Sequence, residues 1–258
     1  MKLYTIDKKA AARPLSPSQV SKWVHCPAAW YFKYQMHLEE PPTAPLVLGR
    51  AVHSAIGYTL AAELAGEEWD EQAALATYEA AFSDAALGAY FAPDEQPEEI
   101  EARGAKLVTA WATKGPALIE GKLLHSEYAI EGEISGVPVV GVADIVTTET
   151  VCDVKVRKRK PSNVSQLERL QIATYAFLIG AKKGQLITLV HAARGPSIHT
   201  TSFEIGQDLH FVERIYPQIR DAIEAERFLP NRFSQLCSRR FCPHWRVCEE
   251  VYGGEVRP

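Results

Sequence analysis

Two aspartates lie inside stretches that otherwise read as buried β-strand. Asp144 falls in VPVVGVADIVTTE and Asp153 in TVCDVKVR, each among β-branched neighbours. A strand interior is a costly place for an unpaired charge, so the fold must bring each carboxylate to a partner or a ligand. With LLHSEYAIEGEI ahead of them, and with Gly136 and the turn from Thr147 to Thr150 as punctuation, these stretches predict a three-stranded meander. Residues two apart on a strand share a face, so Asp153 and Lys155 point one way and Cys152 and Val154 the other. Pairing the strand of Asp144 with that of Asp153 converges two carboxylates and an ammonium.

Such a patch suits a hard cation. Two carboxylate oxygens hold Mg²⁺ or Mn²⁺ while leaving positions for water and a substrate phosphate. A nearby lysine can orient that water or stabilise charge developing on the phosphate. A surface ion pair of Asp153 with Lys155 or Arg157, with Asp144 capping a bulge, accounts for the same residues without a metal.

Around the meander the pattern is helical. Ser16-Pro17 is a helix start leading into Val20, Trp23 and Val24, and Pro27 separates it from a second short helix over 28–34. Residues 46–64 read as helix, and the Ala-, Glu- and Leu-rich stretch over 67–121 reads as two or more helices broken near Pro93 and Pro97. After the meander come a helix over 165–179, strands in QLITLVHAA and SIHTTSFEI, and a helix over 208–228. The remainder has no clear period.

Ordered along these elements are Gly49 and His53 in LGRAVH, Asp144 in GVADIV, Asp153 and Lys155 in CDVKV, and Gln171 and Tyr175 in QIATY. This set resembles the RecB-like branch of the PD-(D/E)XK nuclease superfamily. The resemblance implies an α/β restriction-endonuclease-like αβββαβ core carrying a helical insertion. It also implies a Mg²⁺- or Mn²⁺-dependent deoxyribonuclease, acting as an exonuclease on single strands or DNA ends. It assigns His53, Asp144, Asp153 and the carbonyl of Val154 to the metal, Lys155 to the attacking water, and Gln171 and Tyr175, one helical turn apart, to positioning the lysine and strand. One nuclease domain is expected over 1–258: N-terminal helices in 1–45, a helical region in 46–122, the sheet core in 123–206, and a C-terminal helix and loop in 207–258. A non-catalytic nucleic-acid-binding or assembly module on the same fold is the rival reading.

Cysteine use is uneven. Cys237, Cys242 and Cys248 crowd the last segment, Cys26 lies near the start and Cys152 in the middle. A tight group of this kind in a cytosolic chain marks a metal or redox site more often than a disulfide framework. Three thiolates leave a tetrahedral site or a cubane one ligand short, and Cys26 is the candidate fourth. One early and three late cysteines resemble the iron–sulfur staple of RecB-like nucleases such as the AddB nuclease domain and the CRISPR-associated four-cysteine exonucleases. That implies a 4Fe–4S cluster tying the N-terminal helix to the C-terminal segment. The x4 spacing between Cys237 and Cys242 departs from the more usual x2 and requires a bulge around 238–241. Zinc, with Cys26, His25 or His244 as fourth ligand, stays open. Cys152 is left over as a small core residue.

The run KVRKRK places Arg157, Lys158, Arg159 and Lys160 directly after the candidate catalytic strand, either as a solvated loop or as a rim that tracks DNA phosphates, with Arg239, Arg240 and Arg246 as further cations. Trp23, Trp30, Tyr31 and Tyr34 are candidates for base stacking or for core packing. The helical insertion could cover the site like a lid. The net charge of −4 argues against coating nucleic acid by bulk charge but leaves a local basic groove possible. No apolar run approaches a membrane span and the opening residues lack an apolar leader, so cytoplasm is expected and no membrane partner. Helicase, recombination or CRISPR proteins are the partners the resemblance implies.

Overall fold

The computed structural model of the protein describes residues 13–258; residues 1–12, part of the opening stretch read for a leader, lie outside the described residues. The elements run α1 (Pro17–His25), α2 (Pro27–Tyr34), α3 (Ala44–Ala65), α4 (Glu71–Ala86), α5 (Pro97–Lys114), β1 (Leu123–Ile134), β2 (Val137–Thr147), β3 (Thr150–Arg157), α6 (Gln166–Ile179), β4 (Lys183–Ala192), β5 (Gly195–Glu204), α7 (Gly206–Glu224) and α8 (Trp245–Tyr252). Contacts divide the chain into two units, and the segments expected to follow one another within one domain are shared between them. One unit is Pro41–Ile130 with Val142–Asp208; the other draws on Met1–Glu40, Glu131–Gly141 and Leu209–Pro258.

The strand order of the sheet is β1-β2-β3-β4-β5. β2 runs antiparallel to β3, with Ile145 opposite Cys152, while β3 and β4 are parallel and joined through α6. The alternation read from TVCDVKVR holds: Cys152 and Val154 enter a core with Ile145, Ile187 and Leu189 and the buried faces of α3, α4 and α5. Cys152, fully buried, is the small core residue expected of it. α6 begins where the sequence says it should. Ser165 and Glu168 form a reciprocal capping box, and Gly180, at φ 77°, ends the helix in a conformation that glycine adopts freely. The insertion is two helices, α4 and α5, and the indole of Trp111 donates to Thr59 Oγ1 at 3.0 Å to fix α5 against α3.

The second unit is built on aromatics. Phe228 stacks on Tyr31 at 4.6 Å and on Trp30 at 6.0 Å, with Trp23 edge-on at 5.8 Å. Trp23, Trp30 and Tyr31 are therefore core residues, and none of the three is free to stack on a base. Glu40 accepts from Lys22 (2.5 Å), Lys33 (2.6 Å) and His244 (2.8 Å), which ties α1, α2 and the C-terminal segment to one carboxylate. The segment without a period in sequence contains α8, a single amphipathic stretch of 8 residues too short to display a repeat.

The α5 packing generates a test. A Cβ at Gly104 would stand 2.0 Å from the Tyr78 hydroxyl and 2.7 Å from Leu48 Cδ1, and Tyr78 is fully buried with its hydroxyl donating to Glu101 O at 2.9 Å. Helix propensity favours alanine by about 1 kcal/mol. Overpacking costs about 1–3 kcal/mol and wins here. Gly104→Ala should lower the denaturant midpoint; a raised midpoint would show that this contact is not tight.

Candidate active site

The site forms where β2 and β3 part. One step past the Ile145–Cys152 pair, Asp144 stands beside Asp153, and its Oδ2 accepts the N–H of Val154 at 2.6 Å. From α3, His53 donates Nε2–H to the Val154 carbonyl at 2.9 Å, leaving Nδ1 3.6 Å from Asp144 Oδ1. Lys155 Nζ donates to Asp153 Oδ1 (2.7 Å) and to Gln171 Oε1 (3.4 Å). The Tyr175 hydroxyl bonds the Gln171 side chain and the backbone of Val142. The residues singled out in the sequence for the metal and the lysine thus occupy one contiguous network.

Burial sets its electrostatics. Asp153 is only 1% exposed, and desolvation, opposed by Lys155 and reinforced by Asp144, pushes its carboxyl from the ordinary 3.8 up to about 6. Desolvation pulls the Lys155 ammonium down, but the charge and hydrogen bond of Asp153 outweigh it, so the lysine is held above its ordinary range and stays a cation.

Sequence reasoning missed Glu127. Its carboxylate, His53 and Asp144 each bring one ligand atom to within 4.8 Å of the others. Glu127 lies on β1 at φ 48°, in the left-handed region, which turns its side chain out of the strand's alternation. Burial, then Asp144, raises its carboxyl, and His53 opposes them. Nothing in LLHSEYAIEGEI sets Glu127 apart from Glu131 or Glu133, so no signal in one sequence could have found it.

Of these residues His53, Glu127, Val154 and Lys155 line a cleft of about 920 Å³, with Arg50 of α3 and Asp84 of α4 on its walls. Of the basic run, Arg157 turns to α6 and pairs with the buried Glu168, while Lys158, Arg159 and Lys160 are exposed.

A model of the PD-(D/E)XK nuclease superfamily matches residues 14–249. The chain belongs to that superfamily. Its members use divalent metals, and the residues fit one on two observations. Among the described residues Asp153 Oδ2 is buried without a hydrogen-bond partner, and with Nε2–H given to Val154 the unprotonated Nδ1 of His53 faces Asp144, in a group where His53, Glu127 and Asp144 each bring one ligand atom to within 4.8 Å of the others. Among solved structures, the chain is similar to a protein from Eubacterium rectale described as a "putative exonuclease", with a TM-score of 0.61 at 13% identity over 98% of this chain and 100% of that one. SSO0001 aligns more loosely, with a TM-score of 0.41 at 14% identity over 97% of this chain and 98% of that one. No curated protein matches.

The raised Asp153 carboxyl gives a pH test. Without metal, Asp153 holds its proton more tightly folded than unfolded, so this group's stabilisation falls as pH rises from 3.8 to about 6. A cation takes the place of that proton. Mn²⁺ should therefore raise Tm little at low pH and progressively more as pH passes that of the raised carboxyl, by about 3 kcal/mol of stabilisation near a hundredfold excess over Kd. Asp153→Asn and Asp144→Asn should lose this increment in thermal-shift assays. An increment independent of pH, or kept by both variants, would contradict the ligand set.

Proposed function

We propose that the protein is a Mg²⁺- or Mn²⁺-dependent DNA exonuclease of the RecB-like type that carries a 4Fe–4S cluster as a structural element. The observation that carries the catalytic half is the buried Asp153 carboxylate, one oxygen on Lys155 and the other without a partner among the described residues, beside Asp144, His53 and Glu127. Asp144, Asp153, His53 and the Val154 carbonyl hold the cation, which when bound acidifies a water and neutralises charge building on the scissile phosphate. Glu127 stands within reach as a further carboxylate. Because Lys155 stays protonated, it acts as a fixed cation toward the phosphate and its water and not as the base. Gln171, itself held by Tyr175, sets the direction of the ammonium. A cleft with a helix of the insertion on its wall favours a strand fed from an end over internal cutting of a duplex.

The cluster half rests on Cys26, Cys237, Cys242 and Cys248, which line one cavity of about 270 Å³. Cys26 Sγ accepts the N–H of Asn231 at 3.3 Å, and the x4 spacing is taken up by a turn in which Ser238 O accepts from Phe241 and Cys242. Burial raises the Cys242 thiol and takes Cys248 up to about 11, so a metal must displace their protons. Zinc needs tetrahedral sulfurs about 3.8 Å apart. Among the described residues no three of these thiols lie within 4.8 Å of one another, so the cluster reading is carried by the pattern of one early and three late cysteines around one cavity and not by a preformed ligand geometry.

With Mn²⁺, the purified chain should degrade end-labelled linear single-stranded DNA and leave a circle intact. Asp153→Ala and Lys155→Ala should slow cleavage by about 10²-fold or more with the fold retained. Full activity in either variant overturns the assignment, and DNA binding without degradation would favour the non-catalytic module. The cluster predicts a brown preparation containing iron and sulfide, lost in Cys237→Ala; a colourless one with stoichiometric zinc would replace it by zinc.

A further inference from the structure

A second cavity, of about 180 Å³, adjoins the active cleft, with Pro45 and Val156 in the walls of both. It lies at the carboxyl ends of the parallel strands β3 and β4, where α/β sheets place ligands. Arg103 of α5, Lys158 just after β3 and His191 near the end of β4 line it, from three elements far apart in sequence. No sequence pattern joins them.

The charge balance of this cavity decides what it takes. Arg157 also lines it but is neutralised by Glu168. Asp94 and Glu95 face it from the loop before α5, and Glu95 Oε2 is committed to the N–H of Ala92 at 3.0 Å. Among the described residues Arg103 is paired only with Glu99 one turn away, with both side chains well exposed, an interaction of the kind worth a few tenths of a kcal/mol and easily exchanged. Among the described residues no carboxylate pairs with Lys158 or His191. At His191 burial lowers the basicity first, and Arg103 and Lys158 lower it further, as expected of three side chains that line one space. An anion entering would bond the guanidinium and ammonium and restore the imidazole proton, and so meet three donors from three directions.

We infer that Arg103, Lys158 and His191 form a phosphate-binding subsite that takes a phosphate of the nucleic-acid strand next to the one at the metal centre. This rests on the nuclease reading for the identity of the ligand, while the anion site itself does not. The shared chemistry is a phosphate oxyanion, and its source is either a terminal monoester or an internal phosphodiester.

The test uses the full chain. In metal-free buffer, inorganic phosphate should raise the Tm of the wild type. The double variant Arg103→Gln/His191→Gln should bind phosphate at least about tenfold more weakly, with either single variant serving if the double fails to fold. Lys106→Gln, exposed on the same helix, should match the wild type. With Mn²⁺ and linear strands bearing a 5′-phosphate, a 3′-phosphate or no end phosphate, the double variant should raise KM about tenfold with kcat nearly unchanged. A KM that depends on one end phosphate in the wild type and not in the variant identifies a terminal monoester; an equal loss on all strands identifies an internal phosphodiester. Equal phosphate affinity in folded wild type and double variant overturns the subsite and leaves the nuclease reading standing. Phosphate binding that is lost in the variant, in a chain that cleaves no nucleic acid, keeps the anion site and removes the nuclease reading.

Discussion

The pair of Asp153 and Lys155 on β3 is the interaction on which the rest of the sheet-bearing unit depends. A carboxylate with 1% exposure carries a desolvation cost of several kcal/mol, and one hydrogen-bonded ammonium offsets only part of it. Strand alternation supplies the remainder, because the same eight residues that place the charges on one face place Cys152 and Val154 on the other, in the core beneath α3, α4 and α5. A buried pair of this kind is weak evidence for stability. Among the described residues its second oxygen has no hydrogen-bond partner, and an arrangement optimised for stability alone would not leave it so. The unmet oxygen makes sense as a ligand position kept open for a cation.

The other unit solves a different problem. α1 and α2 are short, 9 and 8 residues, and such helices are marginal alone. They are held by the aromatic stack around Phe228 and by Glu40, whose carboxyl is pushed well below the usual range by His244, Lys22 and Lys33 against the pull of burial. That ion cluster sits beside the four cysteines, since Lys22 and Glu40 line the same cavity. The N-terminal helices and the C-terminal loop are therefore joined by charge at Glu40, next to the cavity that Cys26, Cys237, Cys242 and Cys248 line.

How much of this could be read from the chain follows from the range of the forces involved. The capping box at Ser165 and Glu168, the glycine stop at Gly180 and the alternation in TVCDVKVR are local, and each element they predict is present within a few residues of its expected ends. Asp144, Asp153, Lys155 and Gln171 were legible because a charge within an apolar strand, or an ordered set of polar residues, is itself unusual. Glu127 was not legible, since its place in the site comes from a backbone turn at φ 48° in a strand rich in exposed acids. Arg157 shows the converse limit: in sequence it is one of four rim cations, and only the packing of α6 reveals Glu168 beneath it. α8 has too few residues for its period to register.

The same distinction between local and long-range forces governs how a polyanion would meet this surface. With 28 basic and 32 acidic residues the molecule presents no net attraction at a distance, and at physiological salt any field fades over about 8 Å. Steering by bulk charge is thus absent, and affinity for a phosphate backbone has to come from contacts inside that length. The cations available there are few and differently prepared. Lys155 is held by Asp153 and Gln171, Arg103 is loosely tethered to Glu99, and Lys158 has no acidic partner among the described residues. On the proposed reading, the ammonium held by Asp153 and Gln171 would fix a phosphate where charge develops, and the less constrained side chains beside it would draw in its neighbour with little reorganisation to oppose them.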